Sequence, residues 1–317
     1  MTLSQQRKIQ MTISNVDAFV DTILGSLEDR ANELYRYLTV VKFMDLKRED
    51  FDHLFKSAHN SDQMESIDVF LNADIPIPKD GILDRRYWFE QQRATYLTMF
   101  QSMNVEDRGS QYLKYRYLYA AAEFAKTRMP HKDPEDLKIF VHGAGIGDDV
   151  VFFAQQGYNN VYYNDIGGAE TTKFALKRLE SRGYINKEDA PIKMSFDPLG
   201  RGIYEERVAY SESVETFDLI VSSNVFGWIK HPIYTIFNLG RLMVETGVMG
   251  IIPSWQNFPL EANEWMMATN IYATFMEHMG FVGHQLPHLG SPFGATFYPV
   301  FTSLWGSHQK YKEEWIL

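Results

Sequence analysis

The segment Val141-His142-Gly143-Ala144-Gly145-Ile146-Gly147-Asp148 constrains the fold more than any other part of the chain. A short apolar run, residues 137–141, leads into it and reads as a buried strand. A helical pattern, residues 148–156, leads out of it. Glycines at such a strand-to-helix turn let the backbone bend tightly and let a ligand approach without meeting a Cβ. Asp165 lies 22 residues after Gly143, at the end of the next apolar run. A carboxylate there can accept hydrogen bonds from both hydroxyls of a ribose. Strand, glycine turn, helix and acid together read as a nucleoside-binding edge.

The pattern around this segment repeats. Strands are predicted at residues 161–163, 192–196, 217–222 and 248–252, and helices at 148–156, 171–182, 232–244 and 261–279. Gly183 stops the second of these helices, and Gly247 forms a turn before the fifth strand. Residues 281–283 and 297–302 form a final hairpin. Strands alternating with helices imply an α/β fold with a doubly wound, mainly parallel sheet.

The first 130 residues read differently, as helices. Ser14, followed by Asp17, is placed at a helix start. Val16, Phe19, Val20, Ile23, Leu24 and Leu27 recur at helical spacing, and Leu34, Leu38 and Val41 continue a similar stripe. Residues 72–81 hold two prolines and read as a loop, while 86–103 and 111–128 read as further helices. The expected division is a helical cap over 1–130 and a nucleoside-binding domain over 131–317.

Composition narrows the function. The chain of 317 residues has 31 basic and 41 acidic side chains and a net charge of −10, which speaks against bulk binding to a phosphate backbone. There is no cysteine, so disulfides, thiolate metal sites and thiol nucleophiles are excluded, and a reducing, cytoplasmic setting fits. The polar residues 1–14 lack a signal-peptide core, and the uncharged stretch 279–306 carries glycines, prolines and histidines that argue against a membrane span. His284 and His288 have metal-like spacing, but Pro287 breaks any helix between them, so no metal site is expected.

A nicotinamide fingerprint would place its third glycine at position 148. Here the third glycine, Gly147, comes one residue early and Asp148 follows. An aspartate at a helix N-terminus suits the helix dipole but would repel a pyrophosphate, whereas a sulfonium and an ammonium meet no such conflict. This favours S-adenosylmethionine over a dinucleotide.

On these residues the chain resembles the class I, Rossmann-like S-adenosylmethionine-dependent methyltransferases, over about residues 137–302. Gly143, Gly145 and Gly147 match the family's G-x-G-x-G loop, with His142, Ala144 and Asp148 beside them. Asp165 matches the ribose-binding acid, with Ile166 next to it. Asp197 matches the residue beside the adenine amino group. Phe217-Asp218-Leu219-Ile220-Val221-Ser222-Ser223-Asn224 looks like the fourth-strand motif. The resemblance implies a seven-stranded sheet closed by an antiparallel strand pair, with the N-terminal helices as a cap. It also implies a cofactor site drawn from His142, Gly143, Ala144, Gly145, Gly147, Asp148, Asp165, Ile166, Asp197, Ser222 and Ser223.

Three departures qualify the resemblance. Val141 stands where the family often has an acid for the methionine end, leaving His142 or Asp148 to compensate. Trp228 stands where many small-molecule members have a histidine, and His231 comes three residues later. The fourth strand ends in Ser222-Ser223-Asn224-Val225, not the Asn-Pro-Pro-Tyr type of motif used on nucleic-acid amino groups. The resemblance therefore implies methyl transfer to a small-molecule acceptor, with Asn224, Trp228 and His231 as candidate catalytic residues. Trp228, Trp255 and Phe258 would line an acceptor pocket. The competing readings are a non-catalytic adenosyl-binding module for assembly and a nicotinamide-dependent oxidoreductase.

Overall fold

A computed structural model describes residues 13–58, 96, 99–105, 108–166, 169–197, 216–223, 225, 235, 238–240, 242–252, 281–285 and 299–303. For 13, 14, 108–110, 166, 195–197, 245, 252 and both C-terminal strands it describes the backbone alone. The described helices are α1 (Ile13–Leu24), α2 (Leu27–Arg36), α3 (Arg48–Ser57), α4 (Arg108–Arg128), α5 (Asp148–Gln155) and α6 (Glu170–Ser181). The strands are β1 (Lys138–His142), β2 (Asn160–Ile166), β3 (Ile192–Asp197), β4 (Phe217–Ser223), β5 (Met243–Ile252), β6 (Phe281–Gln285) and β7 (Pro299–Ser303).

The strands form one seven-stranded sheet in the order β3-β2-β1-β4-β5-β7-β6. The first five run parallel, and β7 lies antiparallel between β5 and β6. This is the Rossmann-like methyltransferase fold expected from the sequence, including the closing strand pair. The order reverses direction between β1 and β4, so a crevice opens at their carboxyl ends, directly beside the glycine turn.

One face of the sheet is covered by α1, α4 and α5. Ile139, Val141, Val161, Tyr163, Leu219, Val221 and Val248 share a core with Val16, Val20 and Ile23 of α1, Tyr115, Leu118 and Ala122 of α4, and Val151 and Phe152 of α5. Phe152 sits at the centre, its ring 5.8 Å from that of Phe19 and 4.9 Å from that of Tyr115. Three of the four tyrosines of α4 are buried, on more than one of its faces. Tyr115, Tyr117 and Tyr119 are buried, and Tyr112 reaches out to Asp21 of α1. A second cluster joins α2, α3 and residues 99–103 to Ile146 and Phe174 of the α/β part.

Several boundaries differ from expectation. α1 begins at Ile13, so Ser14 lies inside it. The stripe drawn from Val16 to Leu27 is two helices, because Gly25 (φ +72°) turns the chain and Ser26 caps α2 by accepting the Asp29 N–H at 3.0 Å. Val41 does not continue the stripe of Leu34 and Leu38. A π turn, Tyr37–Val41, advances the chain by an extra residue, leaving Leu38 buried and Val40, Val41 and Phe43 exposed.

The helix expected over 232–244 also ends early. Thr235 and residues 238–240 are helical, but β5 already starts at Met243, which pairs with Phe217. The register shifts between Phe217 and Leu219, and Phe217 packs on Phe140 and Tyr162, away from the Phe152 core. Gly247 therefore belongs to an irregular stretch of β5, where a Cβ would stand 3.0 Å from the Val244 carbonyl oxygen. The helices expected over 86–103 and 261–279, the loop over 72–81, and Trp255 and Phe258 lie wholly or mostly outside the described residues.

Because α1, α4 and α5 meet on Phe152, Phe152→Ala should destabilise the protein by about 3–5 kcal/mol, the usual cost of emptying an aromatic core site. Urea unfolding followed by circular dichroism should show one transition at lower denaturant. Two transitions would mean that α1 and α4 unfold apart from the sheet.

Candidate functional site

The glycine turn is fixed by backbone bonds on several sides. The Ala144 N–H donates to the Asn164 carbonyl at 3.0 Å, and the Gly147 N–H to the Ala144 carbonyl at 2.9 Å. The Gly145 N–H donates to Asp165 Oδ2 at 2.5 Å, and its carbonyl accepts the Tyr163 hydroxyl at 2.7 Å. The Ile146 carbonyl accepts from Arg178 at 3.1 Å. Strand alternation puts Tyr163 and Asp165 on one side of β2, and both serve the same residue of the turn.

The three glycines are there for different reasons. All have positive φ: +67° at Gly143, +53° at Gly145 and +88° at Gly147. At Gly143 a Cβ would meet Val225 Cγ2 at 2.1 Å, so the chain beyond β4 fills that space. At Gly147 a Cβ would make ordinary contact with Leu179 at 3.5 Å, so the left-handed backbone is the reason for glycine. At Gly145 a Cβ would find nothing within 4 Å among the described residues. That open side, next to the half-buried Asp165, is where a ligand can approach the backbone.

The other described candidates gather at the same end of the sheet. His142 and Ser222 close β1 and β4 and are paired in register. His142 Nδ1 lies 2.9 Å from Ser222 Oγ, and both residues are fully enclosed. Burial brings the His142 pKa down to about 3, so the imidazole is neutral at neutral pH. The pair is a polar floor beneath the turn, with no surface turned to the crevice. Ser223 is different: its Oγ is buried without a hydrogen-bond partner among the described residues. Ala144 is nearly buried within the turn. Ile166 and Asp197 end β2 and β3, and their backbones pair in register. Asn224, Trp228 and His231 lie outside the described residues.

The Asp148 carboxylate lies between two guanidinium groups. Arg30 Nη2 stands 3.0 Å from Oδ2, and Arg178 Nη1 stands 2.5 Å from Oδ1. Burial alone would raise its pKa, but Arg178 and Arg30 outweigh that and hold it well below the usual carboxylate range. With its charge matched in this way, Asp148 offers no repulsion to a pyrophosphate, so that ground for preferring a sulfonium is removed. Nothing in the sequence pairs position 148 with positions 30 and 178, which is why the local pattern missed them. Tyr163 could have been found, since it sits two residues before Asp165 and alternation puts both on one face.

Among the described residues, no group of three or more His, Asp and Glu side chains could hold a metal ion. Among them, too, no helix is long and apolar enough to cross a membrane.

No family model and no curated protein matches the chain. Solved structures do. An S-adenosylmethionine-bound amino pentose methyltransferase from Micromonospora echinaspora is 15% identical, with a TM-score of 0.31 over 44% of this chain and 51% of that one. A [4+2]-cyclase, SpnF, is 12% identical, with a TM-score of 0.38 over 54% of this chain and 60% of the other. Magnesium protoporphyrin IX methyltransferase from Synechocystis PCC 6803, with S-adenosylmethionine bound, is 11% identical, with a TM-score of 0.38 over 82% of this chain and all of that one. The chain thus spans about half to three fifths of the first two. Strand order and register, rather than these scores, carry the fold: a seven-stranded, mainly parallel, Rossmann-like methyltransferase sheet.

Removing the Asp148 carboxylate would leave two buried guanidinium groups facing one another. Asp148→Asn should cost about 3–5 kcal/mol. A carboxylate whose folded pKa is depressed stabilises the fold above its unfolded pKa and loses that contribution as pH falls through the folded value. Stability of the unmutated protein should therefore decline below about pH 4, and the variant should show less of that decline. Urea midpoints measured from pH 7 to pH 2.5 check this, and parallel curves for both proteins would refute it.

Proposed function

We propose that the chain binds S-adenosylmethionine at the carboxyl ends of β1, β2, β3 and β4 and transfers its methyl group to a small-molecule acceptor. The observation that carries this reading is the open side of Gly145 beside Asp165. A backbone turn held by five hydrogen bonds, with a left-handed glycine that no described residue covers and a carboxylate at its edge, suits an adenosine half. In this reading Asp165 accepts from the ribose hydroxyls while it keeps the Gly145 N–H. The Ser223 hydroxyl, buried without a partner among the described residues, ends β4 at the same end of the sheet.

When bound, the cofactor would supply a methyl group on an electrophilic sulfonium. The chain's part is then to position the acceptor in line and keep water out, which asks little acid or base of it. Asn224, Trp228, His231 and Asp197 stay in the proposed site on the strength of the resemblance. The helices of residues 1–130 would cover the site as a cap. The net charge of −10 supports a small acceptor over a nucleic acid, and the lack of cysteine supports a cytoplasmic setting.

One observation favours a second reading, an adenosyl-binding module without catalysis. Val141, where the family often has an acid, is only 1% exposed and belongs to the core. It offers nothing to the methionine end.

Calorimetry with S-adenosylmethionine, S-adenosylhomocysteine and NADH tests the cofactor. The first two should bind. Asp165→Ala should weaken them by about 1.5–3 kcal/mol, the worth of charged hydrogen bonds. Gly145→Val should abolish binding by filling the open side, with helix content retained. Binding of NADH alone would overturn the reading in favour of an oxidoreductase.

A further inference from the structure

α2 and its π turn reach both turns at the ligand-facing end of the sheet. At the glycine turn the contact runs through Arg178 of α6. Its Nη1 donates to the Ile146 carbonyl and to Asp148, and its Nε donates to Glu33 of α2 at 2.9 Å. Arg30, also of α2, holds the other oxygen of Asp148. The same guanidinium donates to the carbonyls of Met103 and Ser102, both at 2.7 Å, and of Leu24 at 3.1 Å. Thus α2 supplies a cation to Asp148 and an anion to Arg178, on either side of the turn.

At the second turn, between β2 and α6, the contact runs through Glu170. Lys42, the residue after the π turn, lies 2.8 Å from its Oε2, and the Tyr37 hydroxyl donates to the same oxygen at 3.2 Å. Lys173 takes the other oxygen at 2.8 Å. Glu170 follows Asp165 by five positions and opens α6. The π turn bears on the Lys42 contact. Tyr37 already shares the face of Arg30 and Glu33 at ordinary helical spacing, and the extra residue of the π turn brings Lys42 round to that same face. π turns inside helices are often found at functional sites.

We propose that α2 and its π turn clamp the two turns that hold the cofactor, with Arg178 and Glu170 as positioning residues. Neither side chain need touch the ligand. Arg178 fixes the carbonyl next to Gly145, and Glu170 fixes the start of α6 behind Asp165. This rests on the cofactor reading above. It adds that affinity for the adenosine half is set from α2, over a hundred residues from any proposed ligand-binding position in the sequence but joined to both turns by charge.

The test uses the full chain and S-adenosylhomocysteine as probe. Glu33→Gln, Glu170→Gln and Arg178→Lys are compared with Arg116→Gln, which breaks the Asp17 pair between α1 and α4, away from both turns. Calorimetry should show about tenfold weaker binding for the first three and unchanged binding for the control. Amide hydrogen exchange of the ligand-free proteins is the second readout. Gly145, Ile146 and Gly147 should exchange faster in Glu33→Gln and Arg178→Lys, while amides in the Phe152 core do not. Glu33→Gln, at a side chain that is itself partly exposed, keeps the test usable if a buried arginine variant fails to fold. If the unmutated protein binds no S-adenosylhomocysteine, the cofactor reading falls and the clamp with it. If it binds, and the variants bind equally well with unchanged exchange, the clamp alone is overturned.

Discussion

Where α2, α5 and α6 converge, two guanidinium groups and two carboxylates are brought together, and most of them are out of water. Arg30 and Arg178 are at most 2% exposed, and Asp148 is 7% exposed. Burying such groups is costly, and their mutual attraction offsets that cost only with close geometry and further hydrogen bonds. Both conditions hold for Arg30, which donates to three carbonyls besides the carboxylate. Arg178 falls short, since its Nη2 is buried with no partner among the described residues. The cluster joins positions 30, 33, 148 and 178, and through Arg30 the carbonyls of residues 102 and 103. It therefore binds the N-terminal helices to the α/β part by charge, where the Phe152 core binds them by packing.

The glycine turn depends on that cluster. Its open side at Gly145 needs a backbone that stays in place without a side chain to pack. Asp165 and Tyr163 hold Gly145 from β2, and Arg178 holds Ile146 from behind. Such prior fixing lowers the ordering cost of binding, which is how a short loop gains affinity without more contacts. It also separates two kinds of glycine that look alike in the sequence. Gly143 is required by Val225, a neighbour in the protein itself, and would be needed with no ligand at all.

Sequence patterns reached the sheet because they are local. Apolar runs near 139, 161, 192, 219 and 249, each ending in Gly, Asp, Ser or Pro, mark the parallel strands, and glycine after β1 marks the crevice. Asp165 was legible for the same reason, as a spacing along the chain. What was not legible depends on contacts distant in sequence. Met243 reads as a helix end until Phe217 is beside it as a strand partner. Val41 reads as core until the π turn changes the phase of the helix. Gly25-Ser26 did carry a signal, a glycine stop followed by a serine cap, that the apolar stripe masked.

Asp148 shows the limit most clearly, because a formal charge in a sequence says nothing about its counter-charges. Read alone, it excluded a pyrophosphate and welcomed a sulfonium. Paired with Arg30 and Arg178, it does neither. Selection between adenosine-bearing ligands must then come from what lies beyond the ribose. There Val141 is buried and His142 is neutral and bound to Ser222, so neither supplies a charge. Of the four described buried polar atoms without a partner, Ser223 Oγ alone belongs to the carboxyl end of a strand. In the proposed reading the adenosine half would be held by rigid backbone and Asp165, and methyl transfer and plain adenosyl binding would differ in how the other half of the ligand is held.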